Sequence, residues 1–201
     1  MPIPYEARGR VGQKGRTRGA LISAARAVMA QGVTPTVEAA AAAALISRTT
    51  AYRYFSSQRD LLIAAHPEIE MTSMLPPVPP QDPESRLDAV LREFHRMIVD
   101  TELQQRTALR LSLEPGPQRG DHPLRQGRAV GWIGEALSPL QTLLPEEDLE
   151  RLVLAIRSAT GIEALVWLTD VAGLSREEAT ALMRGSAQAL LRSAFPRAVA
   201  E

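Results

Sequence analysis

Apolar residues recur at helical spacing along most of this chain. From Pro83 to Thr101, the residues Leu87, Val90, Leu91, Phe94, Met97 and Ile98 step by three and four, the repeat of one buried helix face. Near the start, Leu21, Ala25 and Val28 form a stripe with Ile22 and Met29. This predicts a helix over Thr17 to Gln31, with Gly32 as its C′ residue. Val130, Ile133, Leu137, Leu140 and Leu144 make a further stripe over Gln126 to Leu144, and Pro139 is expected to bend that helix. Glu102 to Glu114 reads as a shorter helix, stopped by the run from Pro115 to Pro123. No segment carries a convincing strand pattern.

The segment Glu146 to Gly173 is apolar on two sides. It opens with Glu146, Glu147, Asp148 and Glu150, acids suited to the positive end of a helix. One stripe is Leu149, Leu152, Val153, Ile156, Thr160, Glu163 and Trp167; a second is Leu154, Ser158, Gly161, Leu165, Leu168 and Ala172. A helix apolar nearly all round must be buried nearly all round. In a chain of 201 residues the second face needs a partner, and the last helix, Arg176 to Phe195, is similarly rich in Ala and Leu. The pattern therefore predicts a homodimer through the last two helices.

Thr36 to Leu62 has a different texture. Pro35 ends what precedes it, and Thr36 is a good N-cap. Val37 to Ala44 is almost all alanine, the best helix former. Leu45 and Ile46 supply the turn, Ser47 is a second N-cap, and Arg48 to Phe55 follows as a short helix. Ser57 with Asp60 resembles a capping box for a fourth helix, which should end near His66 because Pro67 follows. On the Arg48–Phe55 helix, Ala51 and Phe55 share a core face. The opposite face carries Thr49, Thr50, Tyr52 and Arg53, with Arg48 and Tyr54 at its edges. Arg forks onto guanine, Thr offers a hydroxyl and a methyl, and Tyr reaches phosphate, so these types suit a DNA major groove.

This pattern resembles the TetR family of bacterial transcriptional regulators. The resemblance rests on Thr36-Val37, Ala41, Ala44, Ile46-Ser47-Arg48, Thr50, Tyr52-Arg53-Tyr54-Phe55, Ser57 and Leu61-Leu62, with Arg18, Ile22, Ala24-Ala25 and Gly32 upstream. It covers roughly residues 16 to 65; beyond that, only length and helical pattern match. It implies an all-α fold of about nine helices: an N-terminal three-helix helix-turn-helix DNA-binding head and a C-terminal helical ligand-binding and dimerisation body. The expected divisions are a flexible basic arm (1–15), the helix-turn-helix domain (16–66), a proline-rich linker (67–83) and the effector-binding and dimerisation domain (84–201). The implied function is a ligand-responsive, sequence-specific repressor that binds a near-palindromic double-stranded operator as a homodimer. Expected DNA contacts are Thr36, Ser47, Arg48, Thr49, Thr50, Tyr52, Arg53 and Tyr54. The family usually has Gly in the turn where Leu45 stands, and often Lys where Gln58 stands, so turn geometry and one phosphate contact are open. Those two positions sustain a rival reading, a helical small-molecule-binding or protein-interaction module without specific DNA recognition.

Charge fits the DNA reading. The net charge is zero, but residues 1 to 65 hold nine Lys or Arg against three acids, a balance of +6, leaving 14 against 20, or −6, in the remainder. A basic head on an acidic body is the footprint of a protein that docks one end on phosphates. Arg8, Arg10, Lys14 and Arg16 could extend that end into a minor groove, or simply solvate a tail.

The effector is an unknown small molecule. Candidate lining residues are Phe94, Met97, Trp132, Glu163 and Trp167, with His95 and Leu109 beside them. Plain core packing is the competing reading for the apolar ones. A carboxylate on a buried stripe needs a partner, which for Glu163 is Arg110, Arg157 or a ligand donor. There is no Cys. Glycine-rich phosphate loops, HExxH and GxSxG are absent, and His66, His95 and His122 are scattered. No enzyme activity, metal or cofactor is expected. No uninterrupted apolar run reaches the ~18 residues of a membrane span, and no secretory leader precedes the first helix. The expected location is the cytoplasm, with no membrane partner.

Overall fold

The computed structural model describes residues 5–66, 71–113 and 127–194, with side chains from residue 12 onward. Among the described residues every regular element is helical. The chain divides into two compact units: Met1–Ile69 with Leu103–Arg125, and Glu70–Glu102 with Gln126–Glu201.

The first unit contains α1 (Tyr5–Met29), α2 (Val37–Ala43), α3 (Arg48–Tyr54) and α4 (Gln58–Ala65), together with most of α6 (Glu102–Leu113). Its core is Leu21, Ile22, Ala25 and Met29 of α1, Val37, Ala40 and Ala41 of α2, Ala51 and Phe55 around α3, and Leu61, Leu62, Ala64 and Ala65 of α4. Small alanines at the contacts let these short helices approach closely. The Arg18 guanidinium lies 5.4 Å from the centre of the Phe55 ring. Gly32 takes a left-handed φ of 74°, as the C′ position after α1 requires.

Two expectations change here. The chain is helical from Tyr5, where composition suggested an irregular arm. No proline interrupts residues 5 to 29, and lengthening an existing helix avoids the nucleation penalty. The side chains of Arg8 and Arg10 lie outside the described residues. Also, α6 from Leu103 onward groups with the head rather than the body. Leu111 packs against the head core. Gln104 Nε2 donates to the Arg26 carbonyl at 3.3 Å, and Arg110 donates to the Thr34 hydroxyl at 2.6 Å.

The second unit contains α5 (Pro83–Asp100), α7 (Arg128–Ala136), α8 (Glu146–Thr160), α9 (Ile162–Val166) and α10 (Arg176–Ser193). Helix α8 packs on α7 and α10, and α5 on the same two. The buried centre holds Phe94, Trp132, Ile133, Leu140, Ile156 and Leu165. Helix α5 starts with Asp82 accepting from the Ser85 N–H at 2.8 Å and Pro83 in its first turn. Arg86 ties the proline-rich strap to α7: its guanidinium donates to the Ala136 and Glu135 carbonyls at 2.8 Å each and to the Pro80 carbonyl at 3.3 Å. A cation is well placed on the Glu135 and Ala136 carbonyls, in the last turn of α7.

Two long helices expected from periodicity are broken. At Pro139 the chain does more than bend: α7 ends at Ala136, and Ser138–Thr142 continues as a 3₁₀ turn. At Gly161 the backbone is extended, separating α8 from α9, and Trp167–Val171 then winds as a π turn. A Cβ at Gly161 would collide with the Arg157 guanidinium and the Glu163 carboxylate, which pair at 3.2 Å. The freed Thr160 carbonyl accepts from His95 Nε2–H at 3.2 Å. By length and composition 146–171 could cross a membrane; here its apolar stripe through Leu149, Leu152, Val153 and Ile156 is buried in the unit. The proline run at 115–123, His122 and the end of the last helix at Phe195 lie outside the described residues.

Candidate nucleic-acid interface

The exposed end of the head is assembled from helix caps. The Thr36 hydroxyl accepts from the Ala39 N–H at 3.0 Å and starts α2. The Ser47 hydroxyl accepts from the Thr50 N–H at 3.2 Å, donates to the Thr50 hydroxyl at 2.8 Å, and starts α3. Ser57 accepts from the Asp60 N–H at 3.1 Å and starts α4. The Asp60 carboxyl is held below its ordinary range, first by the Ser56 hydroxyl at 2.6 Å and then by Ser57.

The turn between α2 and α3 resolves the question posed by Leu45. Leu45 sits at φ 54°, the left-handed conformation that glycine adopts more cheaply. Its N–H bonds the Ala42 carbonyl at 3.1 Å, and the Ile46 N–H bonds the Ala41 carbonyl at 2.9 Å. This is a Schellman cap with leucine in the C′ place. The turn keeps its shape at the expense of local strain, and the Leu45 side chain, 95% exposed, contributes no burial in return. Gln58 also has a defined place: its Nε2 donates to the Pro35 carbonyl at 2.9 Å, tying the start of α4 to the approach to α2.

The predicted faces of α3 separate as expected from its pattern. Ala51 and Phe55 are buried, while Arg48, Thr49, Tyr52 and Arg53 are exposed and Thr50 is half-buried. Tyr54 is half-buried and packs against the head core, so its body serves the fold. Thr49 and Arg53 have no hydrogen-bond or ion-pair partner among the described residues. Arg48 and Tyr52 are engaged: both converge on one oxygen of Glu38, in the first turn of α2. The Tyr52 hydroxyl donates to Glu38 Oε1 at 2.7 Å, and Arg48 Nη2 lies 2.9 Å from the same atom. The Arg48 guanidinium also sits 5.6 Å from the centre of the Tyr52 ring. The bond from Tyr52, with Arg48 nearby, holds the Glu38 carboxyl below its ordinary value; the same bond raises the Tyr52 phenol, and the Arg48 charge opposes that rise. Sequence reasoning passed over Glu38. The available signal was that it is one of three acids in a head with nine basic residues.

In the second unit, Phe94 and Trp132 meet edge to face with centroids 5.9 Å apart. The Arg157 guanidinium lies 5.8 Å from the Phe94 centroid and pairs with Glu163. His95 is buried beside Phe94, and its Nδ1 has no hydrogen-bond partner among the described residues. Burial, and then the Arg184 charge, lower its pKa to about 4. Thus Phe94, Trp132 and Glu163 gather in one cluster, and Met97 is buried on the same helix as Phe94. Trp167 does not join the buried set; it is 58% exposed. The break at Gly161 and the π turn reset the helical register, so Ile162, Leu165 and Leu168 point inward instead. A groove of about 500 Å³ elsewhere in the unit is lined by strap residues 71 and 73–76 with Ala89, Arg92 and Glu93 of α5, none of them a predicted ligand residue.

Three capped short helices, a tight turn and an exposed, donor-rich α3 define a helix-turn-helix protein of the DNA-binding class. A family model described as bacterial regulatory proteins, tetR family, matches residues 21–65. The match covers the head: the chain carries a tetR-type DNA-binding domain, which supports a DNA-binding transcription regulator of TetR type. A comparison with curated proteins returns no match.

Proposed function

We propose that this protein is a sequence-specific repressor that binds a near-palindromic operator as a homodimer and is released by a small-molecule effector. The observation that carries the DNA side is the exposed face of α3, where Thr49 and Arg53 stand without partners among the described residues, beside Arg48, Tyr52 and the caps Ser47 and Thr36. Base choice falls to Arg48, Thr49, Thr50 and Arg53; phosphate positioning falls to Thr36, Ser47, Tyr52 and the hydroxyl of Tyr54. The Schellman turn at Leu45 supports this reading over a module without DNA recognition.

Dimerisation through α8 to α10 is supported by the large apolar side chains these segments leave exposed: Leu154 at 57%, Trp167 at 58%, Val171 at 70% and Leu182 at 50%. We assign Trp167 to that surface. The effector reading centres on Phe94, Met97, Trp132 and Glu163, supported by the unpartnered Nδ1 of His95 and the half-buried Arg157–Glu163 pair beside them.

The test is selection of duplex fragments by the purified protein at two salt concentrations. The expected result is a recovered near-palindrome whose affinity falls steeply with salt, by a slope of about −0.9 per phosphate contact. Arg53→Ala should then lower discrimination between operators by ~1–3 kcal/mol. Recovery of no preferred sequence by a folded dimer would overturn the reading.

A further inference from the structure

We infer that Glu38 is a positioning residue that makes the reading head selective, acting through Arg48 and Tyr52. The inference rests on the DNA-binding reading above and deepens it. Glu38 lies on α2, yet both its partners lie on α3, four residues apart and so on one face of that helix. Both bonds end on Oε1, at 2.7 Å from the phenol and 2.9 Å from the guanidinium, and the cation sits 5.6 Å from the ring centre. The result is a closed triangle that sets the direction of an arginine proposed to read bases; Tyr52 braces it, since its single hydroxyl proton is given to the carboxylate and reaches a phosphate only in exchange for that bond. The carboxylate is accessible, with 39% of its side chain exposed, as is the arginine at 72%.

An acid in the first turn of a helix has a simpler use, complementing the positive helix end. That use needs no bond to Tyr52 or Arg48. Nor does a negative charge beside a phosphate-binding surface help affinity, since it opposes the anion that must dock there. What it can improve is discrimination. Long side chains lose rotamer freedom on binding, and a contact that orders them beforehand removes part of that loss only where the ordered geometry fits the bases. On an arbitrary duplex the same carboxylate only repels. Glu38 therefore acts in opposite directions on the two kinds of DNA, weakening random binding and sharpening operator binding.

The experiment uses the full-length protein, the tightest duplex recovered by fragment selection with the wild type, and a scrambled duplex of the same composition. Affinities for both are measured at one fixed salt concentration for wild type, Glu38→Ala, Glu38→Gln and Arg48→Ala, and for the double variant Arg48→Ala with Glu38→Ala. Glu38→Ala should bind the scrambled duplex more tightly, while its operator-to-scrambled ratio falls about tenfold. Glu38→Gln, which keeps an oxygen for the Tyr52 hydroxyl, should retain part of the ratio. In the Arg48→Ala background, removing Glu38 should change the ratio far less. An unchanged ratio in both Glu38 variants, whether the two affinities rise or fall together, would overturn the inference and leave Glu38 a structural or purely repulsive charge. A wild-type protein that selects no duplex would overturn the DNA-binding reading itself, a result recognisable before any variant is made.

Discussion

The head and the body of this chain reach stability by different routes. In the head, α2, α3 and α4 have seven, seven and eight residues, and each begins with a Thr or Ser whose hydroxyl accepts a backbone N–H. Helices this short are marginal alone, so their ends must be satisfied locally. In the body, α5, α8 and α10 have 18, 15 and 18 residues; α5 and α10 are capped by Asp82 and by the Ser175–Glu178 capping box, while α8 begins after Pro145 with no side-chain cap. Their length gives each a long apolar face, and buried Phe94, Trp132, Ile133, Ile156 and Leu165 hold the helices together whether capped or not. The difference teaches that a small reading head can be specified by short-range hydrogen bonds plus a few large core residues, whereas the body is specified by packing.

The hardest test of that contrast is Phe55→Ala. Phe55 is 3% exposed in a core otherwise rich in alanine, so its loss should destabilise the head by roughly 3–5 kcal/mol. Hydrogen exchange read by mass spectrometry should show α1 and α4 amides losing protection while α5 and α8 keep theirs. Equal loss in both units would erase the distinction.

Acid should strike the body through His95. The folded ring titrates at about 4 and the free ring at 6.5. Between those values the unfolded chain binds more protons, so stability is complete above the upper value and declines as pH falls toward the lower one. The loss from this group should reach roughly 3 kcal/mol. Urea unfolding at about pH 7 and about pH 4 measures it, and His95→Gln should flatten that part of the profile. A variant with the wild-type slope would clear His95 of the role.

Removing one cap should cost less. Ser47→Ala deletes the acceptor for the Thr50 N–H and should destabilise the head by about 1 kcal/mol. Thermal unfolding monitored by far-ultraviolet circular dichroism would register the change, and no shift would mean that water replaces the hydroxyl without loss. The smallest effect should be a gain. Leu45→Gly relieves a left-handed φ of 54° at a side chain that buries nothing, against the extra chain entropy of glycine, for a net of about 0.5 kcal/mol. A loss in the same assay would show that Leu45 makes an apolar contact worth more than the strain.

What the amino-acid order determined alone lies within about one helical turn. The caps at Thr36, Ser47 and Ser57, the left-handed stop at Gly32, the Ala51–Phe55 core face and the α5 stripe all depend on neighbours three to five residues away, and all were legible. So was the kinship of the head to tetR-type DNA-binding domains, because the head is built from such short-range features. Tertiary structure decided the rest. Gly161 interrupts a helix that periodicity alone would carry through, because the broken turn is met by His95 from 65 residues away and spanned by Arg157 and Glu163. That interruption turns Trp167 outward. The grouping of α6 with the head depends on Gln104 and Arg110 reaching residues more than 70 positions earlier. The convergence of Arg48 and Tyr52 on Glu38 needs the crossing of two helices. A residue's propensity and its near neighbours are written in the chain; the partner that arrives from elsewhere is set only when whole elements pack and each polar group must find its counterpart.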